Sequence, residues 1–327
     1  MTKSADTDRT WHFDILLCDG FVLTELAAVL DPLRIANRST AQPHYSWTYL
    51  SRDGGLRRNG AGIMVETQPV PEKPQADFLF VLGNSDPEHP DLSVAPVLRN
   101  YRYSGAKVFL LAEAAARFIQ EEGAESGLDG AHATHWENSH LLREQHGVFN
   151  VGNTLVSDKG TIVTCAGMEA TVDVVLALIG QHISSAVGVS VANVLLHDTV
   201  RDGSTLQPNM ASQLPTTGDG GLDRCIRLMQ DHIEDPLTIA ALTETLGISP
   251  RSLERKFKSR LGCSPVTFYR EIRLHRANNL LLNSSLSICE VGLACGFGSG
   301  FSNVYKSFFG KTPSALRRER AQAPLAD

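Results

Sequence analysis

"SPRSLERKFKSRLG", Ser249 to Gly262, carries arginine at 251 and 255 and apolar residues at 253 and 257, and closes on glycine. Ser249 is a natural N-cap. The spacing therefore predicts a helix with Arg251 and Arg255 one turn apart on one face and Leu253 and Phe257 turned to a core. The preceding "LTIAALTETLGI", Leu237 to Ile248, repeats Leu, Ile and Ala at helical spacing before a glycine turn. Helix, glycine turn and basic helix make a helix-turn-helix pattern. Taken alone, a solvated basic helix would account for the stretch equally well.

The residues downstream of Leu261 remove that alternative. "LGCSPVTFYREIRLHRANNLLLNSSLSICEVGLACGFGSGFSNVYKSFFGKTPSALRRE" resembles the AraC/XylS DNA-binding domain nearly end to end. The first half of the family pattern falls on Ser249, Arg251, Leu253, Arg255, Phe257, Gly262, Ser264, Pro265, Arg273, Leu274, Ala277, Leu280 and Leu281. The second half falls on Ile288, Val291, Ala294, Gly296, Phe297, Phe301, Lys306, Phe309, Gly310 and Pro313. The resemblance implies two helix-turn-helix units held about one DNA turn apart by a rod helix from Pro265 to Leu282. It places Arg251 and Arg255 at base edges, where arginine bonds guanine O6 and N7 together. Ser302, Asn303 and Lys306 are the second-unit candidates, and Lys258, Arg260 and Lys311 suit phosphate contact or plain solvation. The chain departs from the family in passing from Phe297 to Phe301 through only Gly298, Ser299 and Gly300. The second turn is thus expected to be tight or displaced, and the first unit to do more of the sequence reading.

Charge is divided unevenly. Residues 221–320 hold 15 Lys+Arg against 9 Asp+Glu, a net +6, and the whole chain is −6, so the remainder carries −12. A basic module joined to an acidic one suits a polyanion partner on the basic side, because phosphate neutralisation supplies most non-specific nucleic-acid affinity. "RDGSTLQPNMASQLPTTGDGG", Arg201 to Gly221, is rich in Gly, Ser, Thr and Pro and reads as a linker. The expected organisation is a disordered tail at 1–11, a sensor domain at 12–201, a linker at 202–220, a DNA-binding domain at 221–320 and a tail at 321–327.

Upstream of the linker, "FDILLC", "ADFLFVLG" and "AKVFLLA" are short buried-strand runs separated by amphipathic stretches such as "LTELAAVLDPLRIAN" and "LSVAPVLRNYRYSG". This alternation predicts an α/β fold with an open, mostly parallel, flavodoxin-like sheet flanked by helices, next to an all-α second domain. "NTLVSDKGTIVTC" predicts a hairpin around Asp158 to Gly160, followed by one long helix over "MEATVDVVLALIGQHISSAVGVSVANVLLH". "FDILLCDGFVLTELAAVLDPLRIAN", "LDGAHATHWEN" and "TIVTCAGMEATVDVVLALI" are similar to the class I glutamine-amidotransferase-like (PfpI-type) sensor domain of GlxA-type AraC/XylS regulators, over residues 12–202. In enzymes of that superfamily a cysteine sits on the strand-to-helix elbow after the strand matching "KVFLLA", and a histidine comes from the strand matching "HATHW". Here the elbow, "LLAEAAARF", Leu110 to Phe118, has no Cys, Ser or Thr, and His135 has no nucleophile to serve. An amidase or hydratase with a DNA-binding tail is the rival reading, and the elbow speaks against it. No catalytic residue is assigned, and Cys18 and Cys165 are expected to pack or border the pocket.

A crevice without a nucleophile can still bind a ligand. Asp19, Phe21, Glu25, Glu113, His135 and Trp136 are the candidates for contact with a small-molecule effector. Carboxylates beside aromatics suit an amine or ammonium, while Arg34 nearby would suit an acid. The resemblance implies an activator of a catabolic operon responding to an amino acid or quaternary amine, with promoter DNA, RNA polymerase and a second copy of the chain as partners. No cofactor is called for. His132, His135, His140 and His146 lack the HxxxH repeat of a helical zinc site, so no metal is expected. The six cysteines, 18, 165, 225, 263, 289 and 295, form no CxxC pair, which suits a reducing cytoplasm. With no leader-like start and no apolar run long enough to span a bilayer, membrane residence is not expected.

Overall fold

The computed structural model describes residues 9–123, 131–139, 142, 151–207, 217–283 and 286–322. The outer parts of both expected tails, positions 208–216 of the expected linker, and His140 and His146 lie outside these residues. The chain divides into two compact units, Met1–Gln207 and Pro208–Asp327.

The first unit is built on an eight-stranded sheet. Its strands are β1 (Trp11–Leu16), β2 (Tyr45–Ser51), β3 (Asp53–Arg58), β4 (Met64–Pro69), β5 (Phe78–Val81), β6 (Lys107–Leu111), β9 (Val156–Asp158) and β10 (Ile162–Cys165). A separate short parallel pair joins β7 (His132–Ala133) to β8 (Val151–Gly152). The order across the large sheet is β3-β4-β2-β1-β5-β6-β10-β9. Pairing is parallel from β4 through β10, and antiparallel only where β3 and β9 close the two edges.

Successive side chains of a strand point to opposite faces, so β1 feeds two cores at once. Phe13 and Ile15 pack with Val29, Leu33, Val175 and Ile179 from helices α1 (Leu23–Ser39) and α4 (Glu169–His182). On the other face Leu16, Leu79, Val81, Val108 and Leu110 pack with Leu98 and Tyr101 of α2 (Ala95–Ser104) and with Ala115 and Ile119 of α3 (Ala112–Gly123). Covering both faces is what makes these strands read as unbroken apolar runs.

The single long helix expected after the hairpin is two helices. α4 stops at Ile183, and Ser184, in extended conformation, caps α5 (Ser185–Val194) by accepting from the Val187 amide. A serine that hydrogen-bonds the next turn's backbone competes with helix continuation, and here it prevails. Positions 202–207, expected in the linker, lie against the first unit. Leu155 and Val156 donate to the carbonyls of Thr205 and Gly203, and the buried Gln207 amide donates to the carbonyls of Thr134 (2.7 Å) and Thr154 (2.8 Å). The buried Asp173 accepts from His197 (2.8 Å) and from Arg201 Nε (2.8 Å), fixing the segment that leads there.

The second unit is helical: α6 (Gly220–Asp231), α7 (Ile239–Leu246), α8 (Pro250–Leu261), α9 (Pro265–Asn283), α10 (Ile288–Ala294), α11 (Phe301–Phe309) and α12 (Pro313–Gln322). It has two cores. Leu222, Met229, Leu242, Leu253, Phe257 and Tyr269 form one, and Leu274, Ala277, Leu281, Val291, Phe301 and Tyr305 the other. α9 contributes to both, its first half to one and its second half to the other. At the junction Tyr269 Oη donates to the His232 carbonyl (2.6 Å), and Arg273 donates to the carbonyls of Cys295 (2.9 Å) and Gly296 (2.5 Å) while lying over the Phe297 ring. Gly296 has φ +67°, and a side chain there would strike Pro236 and the Ile233 carbonyl. That turn accepts glycine both for its left-handed backbone and for close approach to the first half.

Candidate nucleic-acid interface and sensor elbow

α8 begins as the sequence dictates. Ser249 accepts from the Ser252 amide, Pro250 occupies the first helical position, and Gly262, at φ +73°, ends the helix. Leu253 and Phe257 are fully buried, which turns Arg251, Arg255 and Lys258 outward. An open groove along the helix is lined by Arg251, Ser252, Glu254, Arg255 and Lys258. Among the described residues, neither the Arg251 nor the Arg255 side chain has a hydrogen-bond or ion-pair partner. Lys256, one position on, faces inward and pairs with Asp219 (2.5 Å), the carboxylate that caps α6. Lys258 reaches its own helix end, the Gly262 carbonyl at 3.4 Å.

α11 is shorter. Gly300 stands at its N-cap with no side-chain bond, where α8 has Ser249. Phe301 and Tyr305 are buried, and Ser302, Asn303 and Lys306 are exposed on the outer side. Lys311 is held by Glu319 at 2.5 Å.

In the first unit the turn after β6 is a strained elbow. Ala112 has φ +36°, unusual for a residue with a Cβ, and is fully buried. No reactive atom stands there. Glu25, fully buried, accepts from the Gly83 amide (2.7 Å) and the Met168 amide (3.3 Å). Burial, and then the neighbouring Glu113 charge, push its carboxyl up to about 8 despite those two amides. Glu113 accepts from Asn138 (3.2 Å) through one oxygen, and its other oxygen, Oε2, is buried without a hydrogen-bond partner; burial raises this carboxyl as well. Cys18, bonded by Asn84 (3.1 Å), and Cys165 are pushed by burial to about 11 and about 12, so both thiols stay protonated and inert near neutral pH.

Of the six effector candidates, the fold brings Glu25 and Glu113 together at Gly83, and sets His135 beside Trp136, ring centroids 5.4 Å apart, with Glu137 3.6 Å away. Burial lowers the His135 pKa. Asp19 and Phe21 have intramolecular partners of their own. Asp19 accepts from the Arg58 amide (2.7 Å) and Arg57 (3.3 Å), tying the β3–β4 hairpin to the end of β1, and Phe21 is a core aromatic bridged to Asn84. Among the described residues no group of three or more His, Cys, Asp or Glu could hold a metal ion, and no helix is long and apolar enough to cross a membrane.

Residues 242–319 match a family model described as "Helix-turn-helix domain". The chain is 31% identical over 324 residues to the HTH-type transcriptional regulator GlxA of Rhizobium meliloti, covering 97% of this chain and 99% of that protein. It belongs to the GlxA-type AraC-family transcriptional regulators. The HTH-type transcriptional regulator CdhR of Pseudomonas aeruginosa is 32% identical over 322 residues, 96% of this chain and 92% of its own. A solved AraC family regulator from Pseudomonas putida is similar over 57% of this chain and 99% of its own, at 18% identity and a TM-score of 0.48. This regulator is thus a DNA-binding protein.

Proposed function

We propose that this regulator reads promoter DNA chiefly through α8, with Arg251 and Arg255 at base edges and Lys258 at a phosphate, and through Ser302, Asn303 and Lys306 of α11 in a lesser role. Its first unit binds a small nitrogenous metabolite, an amino acid or quaternary amine, and occupancy switches on a catabolic operon through RNA polymerase. The chain acts in the cytoplasm as a homodimer, whose paired DNA-binding units gain avidity on tandem sites. The observation that carries the DNA reading is the pair of exposed arginines one turn apart, unengaged by any described side chain while the neighbouring Lys256 is tied inward. Gly300 at the head of α11 offers no side chain where Ser249 begins α8, which supports the unequal division between the two helices.

The test compares Arg255→Ala with Lys258→Ala in competition binding against operators varied base by base at fixed salt. Arg255→Ala is expected to weaken cognate binding by about 1–3 kcal/mol and relax preference at one base position. Lys258→Ala is expected to weaken all sequences alike and to shallow the salt dependence by about one unit of slope. Indistinguishable profiles would refute reading through Arg255.

A further inference from the structure

The sheet order reverses between β1 and β5. From β1 the chain steps to β2 on one side, and from β5 it runs through β6 to β10 on the other. In open α/β sheets a crevice forms outside the carboxyl ends of strands at such a reversal, because the following loops diverge to opposite faces. This regulator has a cavity of about 70 Å³ at that point. One water needs roughly 10–15 Å³ by the same measure, so the cavity has room for a short aliphatic body. Leu16 and Val81, the paired last residues of β1 and β5, form its floor, and Leu92 and Val94 from the loop before α2 form a wall. Two charges complete the lining. Arg52, just past β2, and Asp91, in a 3-10 turn, meet at 3.2 Å, the arginine side chain 55% exposed and the aspartate 30%.

The elbow one strand away has no such room. A Cβ on Gly83 would come within 2.3 Å of Glu113 Oε2, and one on Gly167 within 2.1 Å of Glu25 Oε1, so the two carboxyl groups already fill the space beside the glycines. Both are buried, and Glu25 is committed to two backbone amides.

We infer that the effector sits in the switch-point cavity between β1 and β5, not at the elbow, and that it is a compact zwitterion with an aliphatic body. The charge logic comes from the Arg52–Asp91 pair. A guest carrying only a carboxylate would take Arg52 and leave Asp91 facing a like charge, and a guest carrying only a cation would leave Arg52 unpaired. A guest with both replaces one ion pair by two, with its carboxylate on Arg52 and its cationic nitrogen on Asp91. Its charges must lie within a few ångströms of each other, as in an α-amino acid or a betaine. The apolar floor takes the aliphatic part, where each buried methylene adds roughly 0.8 kcal/mol, or about fourfold in affinity. This inference rests on the ligand-responsive reading proposed for the first unit and gives it an address.

The test uses the full-length chain and a panel of aliphatic α-amino acids and betaines of up to six carbons. Each is paired with its amide, which lacks the negative charge, and its des-amino acid, which lacks the positive one. Thermal midpoint and operator binding are read for wild type, Arg52→Gln, Val97→Phe, which fills the cavity from α2, and Glu113→Gln. At least one zwitterion is expected to raise the midpoint of wild type and of Glu113→Gln, while its amide and des-amino acid do not. Its affinity should fall roughly 10- to 100-fold in Arg52→Gln, and its effect should vanish in Val97→Phe. Arg52 is half-exposed, so that variant decides the matter if Val97→Phe fails to fold. Retained binding in Arg52→Gln, loss confined to Glu113→Gln, equal response to a singly charged analogue, or a panel with no responder would each overturn the inference. A zwitterion that binds in an Arg52- and Val97-dependent way without changing operator binding would uphold the site and remove the regulatory reading.

Discussion

Arg273→Ala tests what joins the two halves of the DNA-binding unit. The guanidinium donates to two carbonyls, Cys295 and Gly296, and lies 4.3 Å from the Phe297 ring centroid. Hydrogen bonds from a charged donor are each worth about 1.5–3 kcal/mol net, and a partly desolvated cation–π contact about 1 kcal/mol. Against this stands the cost of half-burying the guanidinium, visible as a lowered pKa caused mainly by desolvation. A net loss of about 2–4 kcal/mol follows. For a unit of about 100 residues, at roughly 4–8 °C per kcal/mol, the melting midpoint should fall by about 8–32 °C. The assay is calorimetry on residues 208–327, which enclose both helical cores. Arg273→Lys should recover less than half of the loss, because an ammonium cannot reproduce the planar fork. A midpoint for Arg273→Ala within about 3 °C of wild type would mean less than 1 kcal/mol and would sink the claim that this side chain clamps the junction.

Three further outcomes are expected. The folded-state pKa of Glu25, about 8, lies above its ordinary 4.5, so its contribution to stability is full below about 4.5 and is lost as pH rises through about 8. The first unit should therefore melt progressively lower across that window, and Glu25→Gln should flatten the profile; a wild-type midpoint that climbs with pH there would contradict the buried acid. Gln207→Ala strips hydrogen bonds from two carbonyls and should lower the first unit's midpoint by roughly 3–8 °C in scanning calorimetry of the full-length chain while the second unit's own transition stays fixed. Purified protein should hydrolyse no glutamine, amide or ester probe above a blank, and Cys165→Ser should leave promoter activation intact; turnover abolished by that change would restore the enzymatic reading.

How much of this could be read from the sequence depended on how local the cause was. The helix-turn-helix pattern was legible because Ser249, Leu253, Phe257 and Gly262 act within one helix and its caps. β1, β5 and β6 were legible because burial on both faces makes them continuous apolar runs. β2 to β4 left little trace: Ser46 and Thr48 face the cross-strand His12, and Asp53–Arg58 is a largely exposed edge strand with two glycines. The break at Ser184 was hidden because Val175, Ile179 and Val191 feed one core, so apolar periodicity runs across it. At the elbow the missing nucleophile was plain. The left-handed turn of Ala112 was not, since nothing in alanine asks for it and packing imposes it. The partners of Asp19 and Phe21 were hidden for a similar reason, because the Arg57 side chain, the Arg58 amide and Asn84 that engage them are brought there only by the fold. The cavity between β1 and β5 belongs to the strand order, which no single stretch encodes.

The two antiparallel border strands have a consequence for how copies of this chain can meet. A parallel sheet that ended on β4 or β10 would offer a flat row of unpaired amides and carbonyls to any neighbouring molecule. Instead one border is β3, Asp53–Arg58, bent by left-handed Gly54 and Gly55 and carrying Arg57 and Arg58, and the other is β9, three residues long. Neither makes a good template for a further strand. Growth of the sheet from molecule to molecule is discouraged at both ends, and a stable pair of these regulators must be built from helices and loops, whose side chains can specify one partner and one geometry.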